Sequence, residues 1–131
     1  MPGVTCVFDS SALLAVVFSE PGDEEVFRLL GESGGRVSAV SWAETSTKMF
    51  ECGMKAREVR HELAYFAIEV VPLDARLALR AAELRVGTRA LGLSLGDRCC
   101  LALSEQSSDA LIVTADEAWR GLQDFNVHLI R

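Results

Sequence analysis

Residues 4–18 read VTCVFDSSALLAVVF, two apolar runs with Asp9, Ser10 and Ser11 lodged between them. A short apolar, β-branched run followed by cap-forming residues reads as a buried strand passing into a helix, with Ser10 or Ser11 as the cap. A carboxylate where that strand ends is either a helix cap or part of a site, and acids at equivalent places further on decide which. Beyond the Glu20-Pro21-Gly22 turn, residues 23–31 continue as a helix with Val26, Leu29 and Leu30 inward, ended by Gly34-Gly35. Residues 36–40 read as a second strand, and Ser41 then caps a helix that carries Glu44 as far as Cys52-Gly53. Residues 56–67 are helical and residues 68–73 form a third strand stopped by Pro72. A long helix starts at Asp74, with Leu77, Leu84 and Leu91 at heptad spacing as core or dimer surface, and Ser94 caps another through Ser104. Residues 110–114 and 126–130 complete five strands. Strands alternating with helices predict an α/β fold whose central sheet is mostly parallel and covered on both faces.

A chain of 131 residues that is 50% hydrophobic and has 3 prolines fits one ordered domain, residues 1–131. The first apolar stretch has no basic region before it and is broken by Asp9, so neither a signal peptide nor a membrane span is expected, and the cytoplasm is the expected location. Cys6, Cys52, Cys99 and Cys100 lack zinc-ligand or disulfide-framework spacing and read as small core residues. A net charge of −6 is awkward for a nucleic-acid ligand, because phosphate binding normally leaves a basic footprint. The conflict is removed if the acids are gathered where cations neutralise them. Lys48 and Lys55 are the lysines among 13 basic residues, and the arginine bias favours bidentate phosphate or carboxylate contacts.

In an open α/β sheet, ligands bind beyond the carboxyl ends of the strands. Asp9 directly follows the first strand, Asp116 follows the fourth, and Glu44 and Asp97 lie in the first turns of their helices. Each alone is explained as a cap or a first-turn acid favoured by the helix dipole. Together they are harder to explain away, because each adjoins apolar sequence that buries it. At an effective dielectric of about 20, each close carboxylate pair costs about 3 to 4 kcal/mol. A hard divalent cation such as Mg²⁺ offsets this, activates a water and stabilises charge developing on a phosphate.

VFDSSALLA (7–15), SAVSWAE (38–44), LSLGDRCCLALS (93–104) and LIVTADEAW (111–119), in this order and spacing, resemble the motifs of the PIN domain, especially VapC-type toxins of prokaryotic toxin-antitoxin pairs. The resemblance covers essentially the whole chain. It implies a three-layer α/β/α fold and a Mg²⁺- or Mn²⁺-dependent endoribonuclease with Asp9, Glu44, Asp97 and Asp116 as metal-holding acids. It further implies Ser10 and Thr114 as hydroxyls that orient carboxylates, a homodimer, and a small antitoxin partner that blocks the acidic site. Water activated by the metal would cleave an RNA phosphodiester to 5′-phosphate and 3′-hydroxyl ends. Cys99-Cys100 and the polar run 104–109 depart from the Ala-rich sequence more usual there.

Two other readings stand beside it. Asp9 could be the nucleophile of a phosphatase or phosphotransfer domain, although the second Asp such a motif wants two residues later is Ser11. Alternatively the chain is a catalytically silent PIN-like module that binds protein. Arg98, beside Asp97, is the candidate phosphate contact, whereas Lys48, Lys55, Arg57, Arg60, Arg76, Arg80, Arg85 and Arg89 read as solvated faces. His61 and His128 read as ordinary solvated or packed histidines, Trp42 and Trp119 as packing residues able in principle to stack on a base, and Asp74, Glu83 and Asp124 as helix or surface charges.

Overall fold

A computed structural model describes residues 4–131 of the chain. In chain order, β1 spans Cys6–Phe8, α1 Ser10–Val17, α2 Asp23–Ser33, β2 Gly35–Ser38, α3 Ala39–Glu51, α4 Ala56–Ala64 and β3 Ile68–Val71. Then come α5 Ala75–Thr88, a 3-10 turn Arg89–Leu91, α6 Leu95–Ser104, β4 Leu111–Thr114, a second 3-10 turn Glu117–Gly121 and β5 Val127–Leu129. Every pairing in the sheet is parallel, where the sequence predicts a mostly parallel one, and the strand order is β3-β2-β1-β4-β5.

Alternation along the central strands divides the core in two. Cys6 and Phe8 of β1 join Leu111 and Val113 of β4 against Leu13, Val26 and Leu29 of α1 and α2. Val7 and Ile112 point the other way, onto Leu77, Ala81 and Leu84 of α5, Leu101 of α6 and Trp119. Helices therefore cover both faces, giving the expected three layers. Leu77 and Leu84 are core rather than surface, and Leu91 packs against that core. The large apolar side chains that α5 exposes are Leu79 and Val86. No described helix is long and apolar enough to cross a membrane.

Several local expectations are corrected. The cap of α1 is Asp9 itself, whose carboxylate accepts the Ala12 N–H, and not Ser10 or Ser11. Ser38 rather than Ser41 caps α3, so the helix starts earlier and β2 is shorter than its apolar run suggests. Gly35 does not terminate a helix but begins β2, where a Cβ would come 2.8 Å from Cδ2 of the buried Phe8 ring. Cys6, Cys99 and Cys100 are buried as expected, whereas Cys52 ends α3 exposed.

Candidate active site

Outward from β1 the strand order runs one way through β2 and β3 and the other way through β4 and β5. The crevice at such a reversal, beyond the strand ends, lies here between β1 and β4. Phe8 pairs with Val113, and the Asp9 N–H bonds the Val113 carbonyl at 3.1 Å, so Asp9 and Thr114 leave the sheet side by side. Asp9 is 3% exposed and Thr114 is fully buried. A buried carboxylate needs hydrogen bonds to both oxygens. Thr114 Oγ1 donates to Asp9 Oδ2 at 2.5 Å, Ser11 Oγ lies 2.7 and 2.9 Å from the two carboxylate oxygens, and the Ala12 N–H reaches Oδ1 at 2.9 Å.

The backbone fixes which way these hydroxyls point. Ser11 Oγ accepts the Ala115 N–H at 2.9 Å and Thr114 Oγ1 accepts the Asp116 N–H at 3.0 Å, so the protons of both hydroxyls are left to aim at Asp9. Ser11 thus does what the sequence assigned to Ser10; no hydrogen bond from the Ser10 side chain is found among the described residues. Spacing cannot separate two adjacent serines. The helical turn after Asp9 does, by folding the second one back over its own cap.

Burial pushes the Asp9 carboxyl up to about 6; Thr114, the Ala12 N–H and Ser11 pull it down, and the Asp97 charge raises it further. Glu44, on the first half of α3, is half-buried, and its carboxyl lies above the usual range through burial and then the Asp97 charge. Glu44 makes no hydrogen bond or ion pair among the described residues. Its carboxylate rests on the first turn of α6, where a Cβ on Gly96 would fall 2.5 Å from its carboxyl carbon and 2.7 Å from Oε2. Beneath these acids Cys100 is fully buried, its thiol pushed well above the ordinary value by that burial, with Asp9, Asp97, Cys99 and Glu44 adding to the rise. Asp97 is therefore within electrostatic reach of both Asp9 and Glu44, and all three acids are within reach of Cys100.

Asp97 also closes a capping box: its Oδ2 accepts the Ser94 N–H at 3.0 Å, and Ser94 Oγ accepts the Asp97 N–H at 3.1 Å. Asp116 is exposed and caps the second 3-10 turn through Oδ1. It joins the group through its backbone N–H on Thr114, not through its carboxylate. The helix-end reading holds for Asp9, Asp97 and Asp116 but not for Glu44, which lies in the second turn of α3 because Ser38 rather than Ser41 is the cap. Asp97 Oδ1 and Asp116 Oδ2 carry no hydrogen bond among the described residues. No three Asp, Glu, His or Cys side chains among those residues are already gathered into a metal-binding group. The chemistry of the donor set nevertheless fits a hard cation: all are carboxylate oxygens, several are free, and no Arg or Lys forms an ion pair with them among the described residues.

Other candidates fall elsewhere. Arg98 does not extend into the acid group as a phosphate ligand: its Nη1 donates to the Ala81 carbonyl of α5 at 3.0 Å, and its Nε is buried without a partner among the described residues. Trp119 is fully buried and Trp42 meets Phe66 edge-on at 6.4 Å, so both pack. His128 pairs with Glu25 at 3.0 Å, exposed His61 stacks edge-on against Tyr65, and Glu83 lies 3.7 Å from Arg80. Gly96 and Ser11 are the site residues that the sequence reading missed. A glycine in the first turn of a helix, a place that has no need of one, was the available signal for Gly96.

A parallel α/β sheet with a buried, hydroxyl-held Asp at its reversal and further acids on adjoining helices defines a class of acidic-site α/β domains. The PIN domain family model matches residues 6–124, and the chain belongs to the PIN domain family. No curated protein matches the sequence. Among solved structures, the chain is similar to a toxin-antitoxin complex from Klebsiella pneumoniae (20% identity, TM-score 0.68, 96% of this chain and 98% of that chain covered). It is also similar to DNA-bound VapBC from Salmonella typhimurium (13%, 0.76, 98% and 99%) and to VapBC-5 from Mycobacterium tuberculosis (21%, 0.62, 98% of each).

Proposed function

We propose that this protein is a divalent-metal-dependent endoribonuclease, the toxin of a VapBC-type pair, acting in the cytoplasm as a homodimer restrained by a cognate antitoxin. The observation that carries the reading is a buried, hydroxyl-held Asp9 at the sheet reversal, with Asp97 within electrostatic reach of both Asp9 and Glu44 and no cationic side chain paired to the three among the described residues. Uncompensated, that arrangement is unfavourable. Asp9, Glu44, Asp97 and Asp116 would hold Mg²⁺ or Mn²⁺. When bound, the ion supplies an activated water and stabilises charge on the scissile phosphate. Ser11 and Thr114 fix the Asp9 carboxylate in its ionised orientation, and Ser94 fixes the rotamer of Asp97 while leaving one oxygen free. Family membership and the toxin-antitoxin assemblies named above support the RNA substrate and antitoxin.

The nucleophilic-Asp9 reading lacks the second Asp that its motif wants two residues on: that residue is Ser11, whose hydroxyl instead holds the Asp9 carboxylate. The test is cleavage of total cellular RNA by wild type and Asp97→Asn, with Mg²⁺, Mn²⁺ or EDTA, with the ends mapped. Wild type should cut only with metal, and Asp97→Asn should lose at least about 100-fold. EDTA-resistant cleavage by highly purified wild type would sink the reading.

The pH profile is a second prediction. A cation displaces the proton from each ligand, and Asp9 titrates at about 6 in the metal-free protein. Single-turnover cleavage at subsaturating Mn²⁺ should fall ~tenfold per unit as pH drops below that value. A flat rate from pH 5 to 8 would contradict the role given to Asp9.

A further inference from the structure

Resting on the metal-site reading above, we infer that Gly96 is the positioning residue for Glu44: the missing side chain at 96 makes the space through which the Glu44 carboxylate reaches the α6 end of the site. Gly96 lies inside α6, two residues after the Ser94 cap, with ordinary helical backbone. No left-handed conformation requires glycine there, and alanine at such a place favours the helix. What requires glycine is space. An added Cβ would overlap Glu44 Oε1 and come 2.5 Å from its carboxyl carbon and 2.7 Å from Oε2. Contacts that short do not occur, so one group must move. The helix is held by the Ser94–Asp97 capping box and by buried Cys99, Cys100 and Leu101 packed into the core. Glu44 has no hydrogen bond anchoring it among the described residues, so Glu44 is the group that yields. Asp97 keeps its place, because its capping bonds to Ser94 lie within the turn of α6 that stays fixed.

The experiment titrates metal-free protein with Mn²⁺ alone by calorimetry, without RNA, and records thermal melts alongside. Gly96→Ala should fold with a melting temperature at or above that of wild type while binding Mn²⁺ at least tenfold more weakly. Shortening the reach in Gly96→Ala/Glu44→Asp should recover part of the affinity, which a merely structural role for Gly96 does not predict. Gly96→Ala binding within about threefold of a wild type that itself binds and cleaves overturns this inference alone. A wild type that binds no Mn²⁺ overturns the metal reading and this inference with it. Should Gly96→Ala fail to fold, Gly96→Ala/Glu44→Ala removes the overlapping carboxylate and must fold; if it also fails, the overlap is not the cause and the inference falls.

Discussion

Asp9→Asn should abolish RNA cleavage and, in EDTA at neutral pH, make the protein more stable than wild type. The loss of activity should be at least about 10³-fold, since the substitution removes a buried charge at the centre of the site. The gain in stability follows from the same burial. Asp9 is raised from 3.8 to about 6 in the folded chain, so the folded state binds this proton more tightly than the unfolded state does. The stabilising contribution is therefore complete below 3.8 and is lost as pH rises through about 6. Above that value the charged carboxylate costs about 3 kcal/mol, at roughly 1.4 kcal/mol per unit. Asparagine keeps an oxygen for the Ala12 N–H and Ser11 and carries no charge, so much of that cost disappears. Urea denaturation of the metal-free proteins at pH 8 should show Asp9→Asn ahead by ~2 kcal/mol, with the difference shrinking toward pH 4. Saturating Mn²⁺ should reverse the order, because only wild type gains binding energy. A variant that is less stable at pH 8 without metal would mean that Asp9 is retained for the fold and not for a ligand.

What the sequence discloses and what it hides separate along a physical line. β1 and β4 are legible because strands buried on both faces are nearly continuous apolar runs, and β5 because its alternation survives at an edge. The ends are less so. Ser38 and Ser41 are equally good caps by type, and only the turn that brings the Ser41 N–H onto Ser38 Oγ selects between them. Asp9 and Asp97 are legible from their places after a strand and in a first turn, because a parallel sheet sends such places to one end; Glu44 is legible only as an acid on the helix after β2, since the earlier Ser38 cap moves it to the second turn of α3. Their hydrogen-bond partners are not. Ser11 and Thr114 are 103 residues apart in the chain, and their 3.2 Å approach depends on β1 pairing with β4 in one register. Arg98 misleads for the opposite reason: adjacency to Asp97 in sequence puts it about 100° around the helix, toward α5.

Thr114→Val is expected to be costly at high pH and clearly less so at low pH, a dependence that a simple packing residue would not show. Valine matches the shape of threonine, so the fully buried position stays filled and no cavity opens. The 2.5 Å bond to Asp9 Oδ2 and the 3.0 Å bond from the Asp116 N–H are lost, together with the 3.2 Å approach to Ser11 Oγ. A hydrogen bond to a charged group contributes ~1.5–3 kcal/mol, and a donor left without its partner adds a further cost, so the total near pH 8 is about 3 kcal/mol. Thr114 is the largest influence pulling the Asp9 carboxyl down. Without it the folded carboxyl rises further, and the destabilisation relative to wild type grows only as pH climbs from about 6 through the new, higher value. At about pH 4 the neutral carboxyl needs that donor far less, so the part owed to Asp9 should vanish and the cost of the unpaired Asp116 N–H should remain. Activity should follow, with the acidic limb of the cleavage profile moving to higher pH and kcat at its plateau falling ~10-fold or more as Asp9 loses its orientation. Thr114→Ser, which keeps the hydroxyl, should restore both the limb and the stability at pH 8. An equal loss at pH 4 and pH 8 would show that the hydroxyl serves packing alone, and the link from β4 to the Asp9 carboxylate would then have no part in the chemistry.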